Sequence, residues 1–278
     1  MINTLVSLNA DLASSIAFRY SCRLTEFVDM RLQTIHVEEV DAEGYPPGSG
    51  WVRSTWEKGL LQSARQGISR LINTEKTNCP PLGDTIVRIG DHDDQMLQEI
   101  AEKSYDLYIE GVLNAFDAQL FHQKVKTKFF KHVPLPILLV KNLVAPSRIA
   151  LLMEDPQDAV AVISAFLKIF GKSKLALDLV HFTITKSDQG VLKEKIPLDA
   201  TTPDTNNTLG VIAEAKALLG KNGWAPKDSW TLRGNTQQIG EMLGDYGLVG
   251  AFLPRNTTKK RFVMELLSRV PSATLICK

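Results

Sequence analysis

Residues 84–94 read Asp-Thr-Ile-Val-Arg-Ile-Gly-Asp-His-Asp-Asp: a short β-branched run that stops at Gly90, as a buried strand does, and then a cluster of acids. Met96, Leu97, Ile100 and Ala101 follow at helical spacing, so a capped amphipathic helix begins at Asp91, His92, Asp93 and Asp94. Asp106-Leu-Tyr-Ile-Glu-Gly111 reads as the next strand, Leu120 to Phe130 as the next helix and Ile137-Leu-Leu-Val140 as a third strand. Toward the N-terminus, Thr4-Leu-Val-Ser-Leu8 predicts a strand. Leu12, Ile16, Tyr20, Leu24 and Phe27 then mark one stripe of a helix, and Leu32 to Val37 a second strand. After an irregular loop from Glu38 to Gly50 comes a helix from about Trp51 to Ile72. Five strands alternating with four helices dictate a parallel sheet covered on both faces, because parallel neighbours need crossover connections. Those crossovers are almost always right-handed.

Nearly the same order then recurs. Leu232-Arg-Gly234 with Asn235 echoes Arg88-Ile-Gly90 with Asp91, at an offset of 144. Asp245-Tyr-Gly-Leu-Val-Gly250 echoes Asp106 to Gly111 at 139, and Val270 to Lys278 echoes Val133 to Lys141 at 137. His181 matches His36 and Ile149 matches Thr4, both at 145. The second copy opens with a strand at Arg148 to Met153. A helix stripe follows on Ala159, Val162, Ile163, Phe166, Leu167 and Phe170, and then a strand at Leu175 to Thr185. A long polar loop, Lys186 to Asn207, leads to a helix from Leu209 to Leu219 with Gly220 as its left-handed cap, and Trp230 to Leu232 forms the third strand. Two domains are therefore expected, 1–141 and 148–278, joined by a linker at 142–147.

The chain of 278 residues is 44% hydrophobic and 23% charged, enough to bury two cores of ordinary domain size. A net charge of +1 supplies no global field for nucleic acid or an anionic membrane. The longest uncharged apolar stretches fall below half of the ~20 residues that a membrane span needs. Met1 to Phe18 has no basic leader and carries Asn9 and Asp11, so it does not read as a signal peptide. Cys22, Cys79 and Cys277 are odd in number and far apart, suggesting neither a disulfide framework nor a metal knuckle; a reducing cytoplasm is expected.

A unit of ~140 residues with Gly-Asp after strand three, Asp-Leu-Tyr-Ile-Glu-Gly at strand four and Pro-Ile-Leu-Leu-Val-Lys at the end resembles the universal stress protein family, here twice over. The resemblance implies two tandem doubly wound α/β domains of strand order 3-2-1-4-5, like the adenine nucleotide alpha hydrolases, with any ligand beyond the strand ends where the order reverses. Nucleotide-binding members of that family show an aspartate ending strand one and Gly-x2-Gly-x9-Gly-(Ser/Thr) after strand four, glycines that let backbone amides close on phosphates. This chain departs from the pattern. The aspartate position is Asn9 in the first copy and Glu154 in the second. Gly111 and Gly250 remain, but Val112 to Phe121 and Ala251 to Lys260 contain no glycine, and the Gly-(Ser/Thr) positions fall near Gln123-Lys124 and Lys260-Arg261. Asn9, Gly111, Glu154, Gly250, Lys260 and Arg261 thus outline a vestigial nucleotide cleft.

Lys124, Lys128 and Lys131 read as one solvated helix face, with Lys259, Lys260 and Arg261 beginning the equivalent helix; the functional alternative is charge that replaces lost phosphate contacts. His36 and His181 read as hydrogen-bonded structural residues, and Asp91, Asp93 and Asp94 as acids at a positive helix end rather than a cation site. Gly240, Gly244, Gly247 and Gly250 read as turns at a helix end and a strand. No motif for nucleophilic, metal-dependent or phosphoryl-transfer chemistry occurs. The expectation is a non-catalytic cytoplasmic stress-response protein that binds a protein or small-molecule partner, with no cofactor. The alternative is an ATP- or AMP-binding protein using the second cleft. Uncharged fifth strands, Ile137–Val140 and Thr274–Cys277, are expected to join into an internal pseudo-dimer. A homodimer of the whole chain is a further option.

Overall fold

The computed structural model describes residues 1–40, 50–76, 78–113, 118–184, 194–198, 208–254 and 261–278, without the side chains of residues 118, 194 and 261. The first half runs β1 (Ile2–Ser7), α1 (Leu12–Leu24), β2 (Met30–Glu38), α2 (Trp51–Glu75), β3 (Ile86–Ile89), α3 (His92–Glu102), β4 (Leu107–Gly111), α4 (Ala118–Val125), α5 (Lys128–His132) and β5 (Ile137–Val140). The second runs β6 (Arg148–Met153), α6 (Pro156–Phe170), β7 (Ala176–Ile184), β8 (Glu194–Pro197), α7 (Thr208–Gly220), β9 (Asp228–Gly234), α8 (Thr236–Met242), β10 (Leu248–Phe252), α9 (Arg261–Arg269) and β11 (Ala273–Cys277). The first and third helices of each half start on the same device. Asp11, Asp91, Asp155 and Asn235 each accept a hydrogen bond from the backbone N–H three residues on. Asp91 and Asn235 keep the offset of 144 seen in the sequence.

The strands form one sheet of order β3-β2-β1-β4-β5-β11-β10-β6-β7-β9-β8. Apart from β8, the strands of each half are parallel and keep the order 3-2-1-4-5. The halves meet where β5 runs antiparallel to β11, with Leu138 opposite Leu275, and both strands are buried along their length. β8 falls within the expected polar loop and pairs antiparallel with the outer edge of β9. The remainder of that loop, at 185–193 and 199–207, lies outside the described residues, as do 41–49 of the Glu38 to Gly50 loop.

The core divides by sheet face and not by copy. On one face Phe18, Tyr20 and Ile68 join one cluster with Val162, Phe166 and Phe170. On the other Met96, Phe129 and Phe130 join Ile239, Leu266 and Leu267. Length alone led us to expect one core for each copy. Pairing of β5 with β11 makes the sheet continuous, so the apolar cover of each face is continuous as well. Lys141, at the end of β5, crosses the junction and donates to the backbone oxygens of Leu267 (2.6 Å) and Val270 (2.8 Å) at the end of α9. Burial lowers its pKa from the ordinary lysine value to about 7.

Several expectations need correction. The helix from Leu120 to Phe130 is two helices, because Thr127 caps a new one by accepting from the Phe130 N–H. Gly220 ends α7 without left-handed geometry; the residue with positive φ is Gly223, at 75°. Cys22 on α1 is disulfide-bonded to Cys79 in the connection between α2 and β3, which removes the thiol count as an argument for a reducing compartment. Cys277 is buried, and desolvation pushes its thiol up to about 12. Among the described residues no helix is long and apolar enough to cross a membrane.

Candidate functional site

The switch point of the first half lies beyond the carboxyl ends of β1 and β4. Asn9 is exposed there, its backbone N–H donating to the Ser14 hydroxyl at 2.7 Å. Gly111, the last residue of β4, faces the first turn of α1. A Cβ added to it would stand 1.9 Å from the Ala13 carbonyl oxygen and 2.4 Å from the carbonyl carbon. Asn9 and Gly111 thus flank the same turn of α1, and Gly111 is required for the contact between strand and helix.

Two of the lysines near that end, Lys124 and Lys128, are paired with acids. Lys124 forms an ion pair with Glu110, whose carboxylate also accepts from the Tyr108 hydroxyl at 3.3 Å. Lys128 pairs with Asp94, and Asp93 accepts from the Phe129 N–H at 2.9 Å. The break at Thr127 puts Lys124 and Lys128 on different helices, so the expected common basic face does not form. Asp91, Asp93 and Asp94 serve as cap, tie and ion-pair partner between α3 and α5. Among the described residues no three His, Cys, Asp or Glu gather in a way that could hold a metal ion.

His36 is nearly buried at the end of β2. Its Nδ1 lies 2.8 Å from the Leu8 carbonyl oxygen and its Nε2 lies 3.0 Å from Glu38 Oε2. A carbonyl only accepts, so Nδ1 is the donor to Leu8 and Nε2 is the ring nitrogen that faces the Glu38 carboxylate. Beside this pair, under α2, is a cavity of about 260 Å³ lined by Ala10, His36, Glu38, Ser63, Ala64 and Gly67 among others. That is smaller than the roughly 300–1,000 Å³ of ordinary ligand pockets, and Glu38 places a carboxylate at its wall.

In the second half the sequence match slips by two residues. Strand pairing sets Thr4 against Leu107 and Ile149 against Leu248, so Gly111 corresponds to Phe252 (107 + 4 and 248 + 4) and not to Gly250. Gly250 lies inside β10, where an added Cβ would stand 2.7 Å from Leu151 Cδ2. α8 has 7 residues where α3 has 11, which shortens the path to the strand, and the Gly247 N–H donates to the Arg148 carbonyl as the Asp106 N–H does to that of Asn3. A partly buried Phe252 ring thus replaces the glycine at the strand end. Glu154 is exposed beyond β6, and its N–H donates to Asp158 at 3.1 Å. His181 is buried with its Nδ1 3.4 Å from the Thr208 hydroxyl. Lys259 and Lys260 lie outside the described residues; Arg261 opens α9 and its side chain is likewise outside. Glu154 and Gly250 are therefore not neighbours in the way Asn9 and Gly111 are.

Sequence reasoning missed Glu38 and Glu110, the carboxylates that hold His36 and Lys124. Each is an acid at the carboxyl end of its strand, Glu38 the last residue of β2 and Glu110 the last but one of β4, a position that could have marked them.

Comparison with solved structures follows from this geometry. A universal stress protein from Archaeoglobus fulgidus superposes with a TM-score of 0.62 at 10% identity, over 100% of this chain and 96% of that one. The fold is that of the universal stress proteins. A functionally unknown protein from Pseudomonas aeruginosa gives a TM-score of 0.56 at 12% identity, over 99% of this chain and 92% of its own. A second protein from that organism, provisionally classed as a universal stress protein, gives 0.54 at 12% over the same shares. No family model matches the sequence, and no curated protein matches it. The universal stress protein fold is thus shared at sequence identities that carry the architecture alone.

Proposed function

We propose that this protein is a non-catalytic stress-response protein of the universal stress protein type that acts by binding a protein partner or a ligand other than ATP. The observation that carries the reading is at Gly111. The glycine that nucleotide-binding relatives would turn toward phosphate is pressed to within 1.9 Å, measured from an added Cβ, of the α1 backbone. Lys124 beside it is neutralised by Glu110, and the second half has Phe252 in the glycine's place. A phosphate chain needs free backbone N–H groups and unpaired positive charge, whereas here Lys124 is paired with Glu110 and the Asn9 N–H with the Ser14 hydroxyl. Pairing of β5 with β11 supports reading 1–141 and 148–278 as domains joined in an internal pseudo-dimer.

Glu154 supports the competing reading, an ATP or AMP binder using the second cleft, because it keeps an exposed acid at the end of β6. Calorimetric titration with ATP and AMP, each with and without magnesium, separates the two. The proposal expects no saturable heat. Micromolar binding abolished by Glu154→Ala would overturn it.

A further inference from the structure

At the opposite ends of β1 and β2 from the cleft, on the face that α3 covers, lies a cavity of about 300 Å³ lined by Asn3, Arg31, Gln33, Lys103, Ser104 and Tyr105. Strand register identifies what occupies the same place in the second half. Asn3 corresponds to Arg148 and Gln33 to Asp178, both at an offset of 145, and Tyr105 to Tyr246 at 141. There the space is filled from within. Asp178 is fully buried and its Oδ2 accepts from Arg148 Nε (3.1 Å), Arg148 Nη2 (2.5 Å) and the Tyr246 hydroxyl (2.8 Å). The Arg148 guanidinium also lies 4.8 Å from the Tyr246 ring centroid. A carboxylate is tolerated inside a protein when it is held in this way.

The first half has no acid at that place. Gln33 stands where Asp178 stands, and its amide donates to the Thr34 and Asp84 carbonyls. The arginine has moved from β1 to β2, as Arg31, which among the described residues has no ion pair or hydrogen bond. The Asn3 side-chain amide and the Ser104 hydroxyl likewise have no partner among the described residues. Two nearby acids are already matched, Glu99 by Arg88 and Lys103 and Asp106 by Lys168. The Tyr105 hydroxyl, unlike that of Tyr246, is taken by Glu99 at 2.8 Å, so the cavity keeps a cation in Arg31 and donors in Asn3 and Ser104 but has no carboxylate facing them.

We propose that this cavity binds a small free carboxylate, a mono- or dicarboxylic acid of a few carbons, whose anionic oxygens meet Arg31, Asn3 and Ser104 as Asp178 meets Arg148 and Tyr246. Its volume lies at the lower end of ligand pockets, which suits a molecule of a few carbons. The site is remote from the cleft beyond β1 and β4, so its failure would leave the reading of that cleft untouched.

The test is titration of 15N-labelled full-length protein with acetate, succinate and inorganic phosphate against sodium chloride at matched ionic strength. Saturable amide shifts confined to the strand ends at Asn3 and Arg31–Gln33 and the turn at Ser104–Tyr105 are expected with the carboxylates. Arg31→Ala should weaken them by about tenfold or more, the worth of one charge-assisted bidentate contact. Gln33→Asp, which builds a carboxylate into the cavity, should abolish the response. Equal shifts with chloride, tighter binding of phosphate than of either carboxylate, or full affinity in Arg31→Ala would overturn the proposal.

Discussion

Substituting alanine for Gly111 asks whether that glycine serves packing. The new methyl carbon would have to sit 1.9 Å from the Ala13 carbonyl oxygen, where an ordinary contact of this kind needs more than 3 Å, and 2.4 Å from the carbonyl carbon. Both atoms are backbone, in the first turn of a helix capped by Asp11, so no rotamer change can relieve the clash. Either α1 or the end of β4 must shift by an ångström or more. Overpacking of rigid surroundings costs about 1–3 kcal/mol, and this case belongs at or above the upper end. Two other glycines calibrate the effect. At Gly250 the nearest atom is Cδ2 of the Leu151 side chain at 2.7 Å, which can move, so Gly250→Ala should cost roughly 1–2 kcal/mol. At Gly59, inside α2, nothing lies within 4 Å, so Gly59→Ala should stabilise by up to about 1 kcal/mol through helix propensity. Equilibrium urea unfolding of the three variants reads the order directly. A Gly111→Ala protein within about 1 kcal/mol of the wild type would refute the packing argument and return Gly111 to a functional role.

Reduction of Cys22–Cys79, or Cys79→Ala, should lower stability by roughly 4 kcal/mol, the chain-entropy value for a bridge spanning a separation of 57 residues; unchanged urea midpoints with and without dithiothreitol would contradict this. Lys141 has a folded pKa of about 7 against an ordinary 10.5, so between those values the unfolded chain holds a proton that the folded chain has lost, and stability should rise with pH across that window by up to roughly 1.4 kcal/mol per pH unit. Lys141→Met should flatten that slope, and a slope shared by both proteins would show that Lys141 is not its source. Truncation after Lys141 bares the apolar β5 edge that β11 covers in the intact chain, so the fragment should dimerise or aggregate; sedimentation as a well-behaved monomer would count against an edge that needs covering.

Strand order and the duplication were legible because a parallel sheet demands apolar strands separated by crossover helices, and the runs at 85–90, 106–111 and 137–140 meet that demand twice. Legibility fails where two elements must be known together. The periodicity of Val162, Phe166 and Phe170 marks a buried face, yet it does not say that the face continues the one bearing Phe18 and Tyr20 in the other half. Matching Gly250 to Gly111 aligned two glycines by type, whereas the strand pairing puts Phe252 at the register position. Lys124 and Lys128 looked like one basic face until the Thr127 cap broke the helix, after which each found a carboxylate on a different element. Cys22 and Cys79 are joined by the way α1 packs beside the end of α2, which residue counting does not report.

Native mass spectrometry of the full chain, as purified and after incubation with magnesium and ATP, tests most directly the proposal that no working phosphate cradle remains. The bare mass of the 278-residue chain is predicted in both samples, apart from any small carboxylate. A species heavier by one or two adenine nucleotides, persisting through buffer exchange, would contradict the account.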